Sequence, residues 1–192
     1  MFDQITIIGC GLIGSSIFKS LKKKSSIKKI ITFDNNKSVM EVIKKYNLSD
    51  EIVSSPADAV KNSDLVLIST PSSSFSSVMN EIKGSLKNGS ILTDTLSVKR
   101  GQKPKLEDIN WIPSHPVAGT EKSGPLAGQE NLFENRWTII TPGKNAKESD
   151  TKKVSLFWET MGSKVKIMSP EEHDKILSIT SHLPHVVAYN IV

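Results

Sequence analysis

The chain predicts an α/β fold built on a doubly wound, mostly parallel sheet, and three observations carry that expectation. Short apolar runs rich in β-branched residues alternate with stretches of helical period along most of the sequence. The runs are four or five residues long and nearly continuous in apolar character, as strands covered on both faces require. The first of them leads through a glycine-rich turn into a helical pattern.

The elements follow in order. Gln4 to Ile8 reads as a buried strand, and Ser16 to Lys24 as a helix whose apolar positions are Ile17, Phe18 and Leu21. Lys29 to Phe33 is a second strand, completing a βαβ unit. A helix over Val39 to Tyr46, a short strand at Glu51 to Ser54 and a helical turn after Pro56 come next. Leu65 to Ile68 and Ser90 to Thr93 are further strands, separated by a helix over Val78 to Leu86. Asn110 to Pro113 reads as a short strand, which places His115 where strand gives way to loop, the position at which open α/β sheets bind ligands. Strands at Thr138 to Thr141 and Lys164 to Met168 flank a helix over Lys152 to Met161.

Ser169-Pro170-Glu171-Glu172 is a helix start: Ser169 can cap, Pro170 suits the first helical position and Glu172 can close a capping box. The helix that follows carries Ile176, Leu177, Ile179, Leu183, Val186, Val187 and Ile191, an apolar set too broad for packing by one stripe. It reaches Val192 without a stop signal. The expected organisation is a domain over residues 1–168 and, over 169–192, the first helix of a truncated all-α domain, so that the chain reads as a fragment.

Composition narrows the function. The net charge of +5 over 192 residues would suit an anionic ligand or nucleic acid. Lys22, Lys23, Lys24, Lys28 and Lys29 flank the end of the first helix, where cations complement its dipole and face water. No run interleaves Arg with aromatics, so nucleic acid is not an expected partner. The run Ile5 to Ile8 is too short for a signal peptide or a membrane span, so no membrane is expected. The single cysteine, Cys10, fits a reducing compartment, and the cytoplasm is the expected location.

The turn Gly9-Cys10-Gly11-Leu12-Ile13-Gly14 follows a strand, opens a helix and is succeeded by Asp34, twenty positions after Gly14 at the end of the second strand. That context makes it a Rossmann-like dinucleotide fingerprint. Gly9 allows the tight turn, Gly11 the approach of a pyrophosphate and Gly14 close packing of helix on strand, while N–H groups at Leu12 and Ile13 hold phosphate. Asp34 would accept the ribose hydroxyls and repel a 2′-phosphate, which favours NAD over NADP, although Lys37 lies nearby.

Ser114-His115-Pro116-Val117-Ala118-Gly119-Thr120-Glu121-Lys122-Ser123-Gly124 packs an imidazole, a carboxylate, hydroxyls and two glycines into one stretch. With the glycine turn, it resembles the prephenate and arogenate dehydrogenases of tyrosine biosynthesis, whose pattern is Ser-His-Pro-x-x-Gly-Thr-Glu-x-Ser-Gly. The resemblance implies NAD-dependent oxidative decarboxylation of prephenate or arogenate by a homodimer joined through C-terminal helices. His115 then becomes the base for the ring hydroxyl, a task suited to a neutral imidazole; a histidine that only braces its loop is the alternative.

The resemblance further implies that Ser97 orients His115 and contacts substrate, although a helix-capping serine is also open there. By the same resemblance Thr120 is expected to line the pocket and Glu121 to gate it. In Ser181-His182-Leu183-Pro184-His185, Ser181 and His185 face the substrate, His185 among the catalytic residues, and Thr70-Pro71 lines the nicotinamide side, unless the pair simply starts a turn. His173 matches the family pattern with no role assigned; a histidine followed by Asp174 in a first helical turn is commonly solvated. No Cys- or Glu-rich set accompanies the histidines, so no metal is expected. One departure stands out: the family binds the substrate side-chain carboxylate through an arginine on its helical domain, and no Arg or Lys follows Lys175. Two alternatives share the same nucleotide domain: a β-hydroxyacid or imine-type dehydrogenase, and a non-catalytic NAD-binding module.

Overall fold

The computed structural model describes residues 2–100 and 109–182. Four strands, β1 (Gln4–Ile8), β2 (Lys29–Phe33), β3 (Leu65–Ile68) and β4 (Ile91–Asp94), form a parallel sheet in the order β2-β1-β3-β4. Helices α1 (Leu12–Lys24), α2 (Lys37–Lys45), α3 (Pro56–Val60) and α4 (Ser72–Ile82) lie between these strands in sequence. Alternate side chains of β3 feed opposite faces: Leu65 and Leu67 join Ile5, Ile7, Ile17 and Leu21, whereas Val66 and Ile68 join Ile8, Phe33, Phe75 and Met79. Each face thus has its own apolar core, which is what double winding requires.

Strands β5 (Ser114–Pro116), β6 (Trp137–Ile140) and β7 (Lys164–Ile167) form a second sheet, antiparallel between β5 and β6 and parallel between β6 and β7. Helix α5 (Glu148–Thr160) connects β6 to β7, burying Val154, Phe157 and Trp158. A parallel bridge between Leu92 and Trp111 lays the chain along β4 before it enters β5. Helix α6 (Pro170–Leu177) starts with the expected capping box between Ser169 and Glu172, and a π-helical turn, Ser178–His182, follows it. Among the described residues, no helix is long and apolar enough to cross a membrane.

Two local expectations are corrected. Residues 51–54 form no strand. The chain still runs beside β2, but Asp50 and Ser49 satisfy its edge with side chains, accepting from the N–H of Ile30 and of Thr32 at 2.8 Å each. Asn110 to Pro113 pairs only at Trp111, and His115 lies inside β5 rather than in a loop. The reason is β6, which takes up the chain from Pro113 onward: Thr141 N–H donates to the Pro113 carbonyl, and His115 pairs with Ile139. The terminal helix keeps α-helical bonding for eight residues before the π turn, and the rest of the expected helix, with Leu183, Val186, Val187 and Ile191, lies outside the described residues.

Candidate active site

The carboxyl ends of β1, β2 and β3 meet at the glycine turn. Gly9 has φ +95°, open to glycine at little cost, and its N–H donates to the Phe33 carbonyl at 2.8 Å. A Cβ at Gly9 would stand 2.5 Å from the Ser69 carbonyl oxygen, and one at Gly14 would stand 2.0 Å from that of Gly9. Gly11 differs, because a Cβ there would meet nothing within 4 Å. Its backbone is not left-handed, so folding does not demand glycine; the missing side chain leaves open space at the start of α1. No side chain caps that helix and its first turn, with Leu12 and Ile13, holds no acidic residue. Bare N–H groups behind an open cradle fit a phosphate.

Asp34 braces the same turn. Its carboxylate accepts from the N–H of Cys10 at 2.9 Å and from that of Asn36 at 3.0 Å, and each oxygen keeps a second lone pair for a sugar hydroxyl. Cys10 is an apolar filler: burial, then the charge of Asp34, pushes its thiol up to about 12. Ser69 N–H donates to the Ile8 carbonyl at 2.7 Å, which sets Thr70 and Pro71 beside the turn. Pro71 also precedes the first residue of α4, as the turn-starting reading of this pair expects.

His115 lies at the same end of the sheet. The stretch 110–112 runs parallel to β4, and Ser114 Oγ lies 2.8 Å from Thr93 Oγ1, so the chain direction carries His115 to the carboxyl end of β4. The imidazole is 8% exposed, and its Nδ1 lies 2.8 Å from Nε2 of His173, which is fully buried on α6. His173 Nδ1 lies 2.6 Å from Asp174 Oδ1. Asp174 in turn accepts from the N–H of Lys99 at 3.0 Å and of Arg100 at 2.8 Å. Burial pushes the Asp174 carboxyl up, but these two N–H donors and His173 outweigh it and hold the group below the usual range, as a carboxylate.

Lys99 ties the arrangement to the sheet. Its Nζ is 2.5 Å from both Asp94 Oδ1 and the Ser114 carbonyl, and Asp94 also accepts from Trp111 Nε1 at 2.9 Å. Burial pulls the Lys99 ammonium downward, and the charge and hydrogen bond of Asp94 oppose that pull. One residue thus fastens β4, the backbone beside His115 and, through its N–H, α6.

The other expected residues distribute around this centre. Ser97 is exposed in a non-helical stretch that continues to Arg100, so it caps no helix among the described residues. Thr120 and Glu121 follow β5 in a loop; the Thr120 hydroxyl accepts from Lys122 N–H at 3.2 Å, and Glu121 is exposed. Ser181 stands in the π turn after α6. His185 lies outside the described residues. The sequence reading missed the roles of His173, Asp174, Lys99 and Asp94. For His173 a signal existed: it stands four residues before Leu177, so both fall on the buried stripe of α6. The expectation of a solvated histidine fails for that reason.

Residues 17–167 match the family profile of the prephenate dehydrogenase nucleotide-binding domain, and residues 169–192 that of the prephenate dehydrogenase dimerization domain. The chain is 37% identical over its whole length to the cyclohexadienyl dehydrogenase of Zymomonas mobilis, spanning 67% of that protein. It is 32% identical to the prephenate dehydrogenase of Bacillus subtilis, again over its whole length, but spans only 53% of it. Its fold superposes on the crystal structure of prephenate dehydrogenase from A. aeolicus in complex with hydroxyphenyl propionate and NAD+ with a TM-score of 0.91 and 33% identity, covering 100% of this chain and 68% of that one. With its glycine turn, its buried His115 and these matches along its length, the chain belongs to the prephenate dehydrogenase family.

Proposed function

We propose that this chain carries the nucleotide site and the catalytic base of an NAD-dependent dehydrogenase that oxidatively decarboxylates prephenate or arogenate. The observation that carries the reading is the placement of a buried, hydrogen-bonded His115 at the same sheet end as an open glycine cradle. The name of the A. aeolicus complex, with NAD+ and a ring acid, supports the same pairing of ligands.

When bound, NAD supplies the acceptor for the hydride that leaves the ring carbon bearing the hydroxyl. The chain's own residues do the rest. Gly9, Gly11 and Gly14 with the N–H groups of Leu12 and Ile13 seat the pyrophosphate, and Asp34 takes the ribose hydroxyls. Thr70 and Pro71 border the nicotinamide side. His115 accepts the hydroxyl proton as the ring carboxylate departs as carbon dioxide, and aromatisation drives the step. Ser97 orients this imidazole and, with Thr120, Glu121, Ser181 and His185, contacts the substrate. The division at residue 168, a homodimer through the C-terminal helices and a cytoplasmic location complete the reading.

His115→Asn in the full-length protein tests it. Calorimetry should show NAD binding intact, while NADH formation with either ring substrate falls by roughly 10²- to 10⁴-fold, as loss of a general base entails. Turnover at the native rate would remove His115 from the reaction.

A further inference from the structure

We infer that His173 and Asp174 are positioning residues that fix the tautomer of His115, so that its Nε2 carries the accepting lone pair and its Nδ1 the proton. The inference rests on the reading of His115 as base, and it follows from the donors and acceptors along one chain of atoms.

An ionised carboxylate only accepts hydrogen bonds. Asp174 is ionised, since its oxygens take the N–H groups of Lys99 and Arg100 in addition to His173. The 2.6 Å contact therefore obliges His173 Nδ1 to carry a proton. A neutral His173 then has its lone pair on Nε2, and the 2.8 Å contact obliges His115 Nδ1 to donate to it. The proton of a neutral His115 is thereby committed to Nδ1, and the basic site is Nε2. A histidine free to choose would place its proton on either nitrogen; here one tautomer is inactive as a base and the network excludes it.

The same chain of contacts has an electrostatic side. Charged groups recorded near the imidazole pair include Asp174 on α6, whose oxygen meets His173, and Lys99, which binds Asp94 at the end of β4 and the Ser114 carbonyl beside His115. Lys99 and Asp94 bind one another in the buried region, and Asp174 is bonded directly to His173. A negative charge there favours the protonated pair, and so raises the basicity of His115 toward the hydroxyl proton. Because α6 supplies both His173 and Asp174, the base on β5 is aligned only while α6 is docked on the segment of Lys99 and Arg100.

The test uses the full-length protein with three variants and a measurement that needs no turnover. Nitrogen-15 NMR of the histidine rings should show His115 as the Nδ1–H tautomer at neutral pH; a proton on Nε2 would overturn the inference. His173→Leu, which can neither accept from His115 nor donate to Asp174, should lower turnover roughly 10²- to 10⁴-fold with little change in NAD affinity. His173→Gln keeps a donor and an acceptor on one side chain and should restore turnover to within about tenfold of native. Equal losses in the two variants would reduce His173 to a packing role and sink the proposal. In Asp174→Asn the acid limb of the turnover profile should move to lower pH, because a negative charge that favoured protonation is gone. An unmoved limb counts against the inference. If NMR shows the expected tautomer while His115→Asn turns over normally, the relay stands and the dehydrogenase reading falls.

Discussion

The two sheets handle polarity in opposite ways. The four-stranded sheet presents backbone: its turn offers N–H groups, glycines with no side chains and one carboxylate that braces the loop. The three-stranded sheet and α6 present side chains: an imidazole pair and a carboxylate beneath it, tied back to β4 of the first sheet by the buried Lys99–Asp94 pair. A backbone site depends on space being kept open, whereas a side-chain site depends on every buried polar group finding a partner. The two should accordingly fail in different ways when disturbed.

The largest effect on stability is expected from Lys99→Met. The side chains of Lys99 and Asp94 are 2% and 0% exposed, so the variant leaves a carboxylate buried without its cation, at a cost of about 3–5 kcal/mol. Denaturant unfolding measures it, and a loss below about 1 kcal/mol would show the pair to be dispensable. At the glycine turn, Gly14→Ala drives a methyl against the Gly9 carbonyl and should cost about 1–3 kcal/mol while NAD affinity falls with it. Gly11→Ala sharpens the contrast: the methyl enters open space, so stability should hold within about 0.5 kcal/mol. NAD affinity should nevertheless weaken more than about tenfold, since the methyl occupies the cradle. Unchanged affinity would mean that the open space at Gly11 is not where phosphate sits.

The smallest effects concern acid. Asp64 and Asp174 sit in different sheets' surroundings but share a design, each accepting two backbone N–H groups. Burial raises both, and hydrogen bonds outweigh it, from Lys87, Asp3 and Gln4 at Asp64 and from Lys99, Arg100 and His173 at Asp174. Both therefore hold protons less tightly when folded than the ordinary value of 3.8. Their stabilisation is complete above that value and disappears as pH drops through the folded-state values. Asp64→Asn and Asp174→Asn should each flatten the acid side of the stability curve, measured by chemical unfolding at a series of pH values. A curve as steep as the native one would show that neither carboxylate is held down by folding.

The same contrast explains what was legible in the sequence. The nucleotide turn is local: its glycines fall within six consecutive residues and Asp34 stands one βαβ unit away, so spacing alone expresses the geometry. The strand cores were legible for the same reason, since continuous apolar runs mark strands covered on both sides. The partners of His115 are not local. His173 is 58 positions away and the Lys99 to Asp174 bond spans 75, and no period or spacing rule links residues so far apart. The absent strand at residues 51–54 shows a related limit, because Ser49 and Asp50 meet the edge of β2 through side chains that a pattern of apolar residues does not encode.

Asp34 has a consequence for anyone redesigning cofactor choice. Its carboxylate holds the Cys10 amide in addition to the sugar-binding role proposed for it, so removing the charge to admit a phosphorylated nucleotide also unfastens the loop. A swap to alanine would confound the two effects. Serine or asparagine, which leave an oxygen for that amide, are the substitutions that separate selectivity from loop integrity.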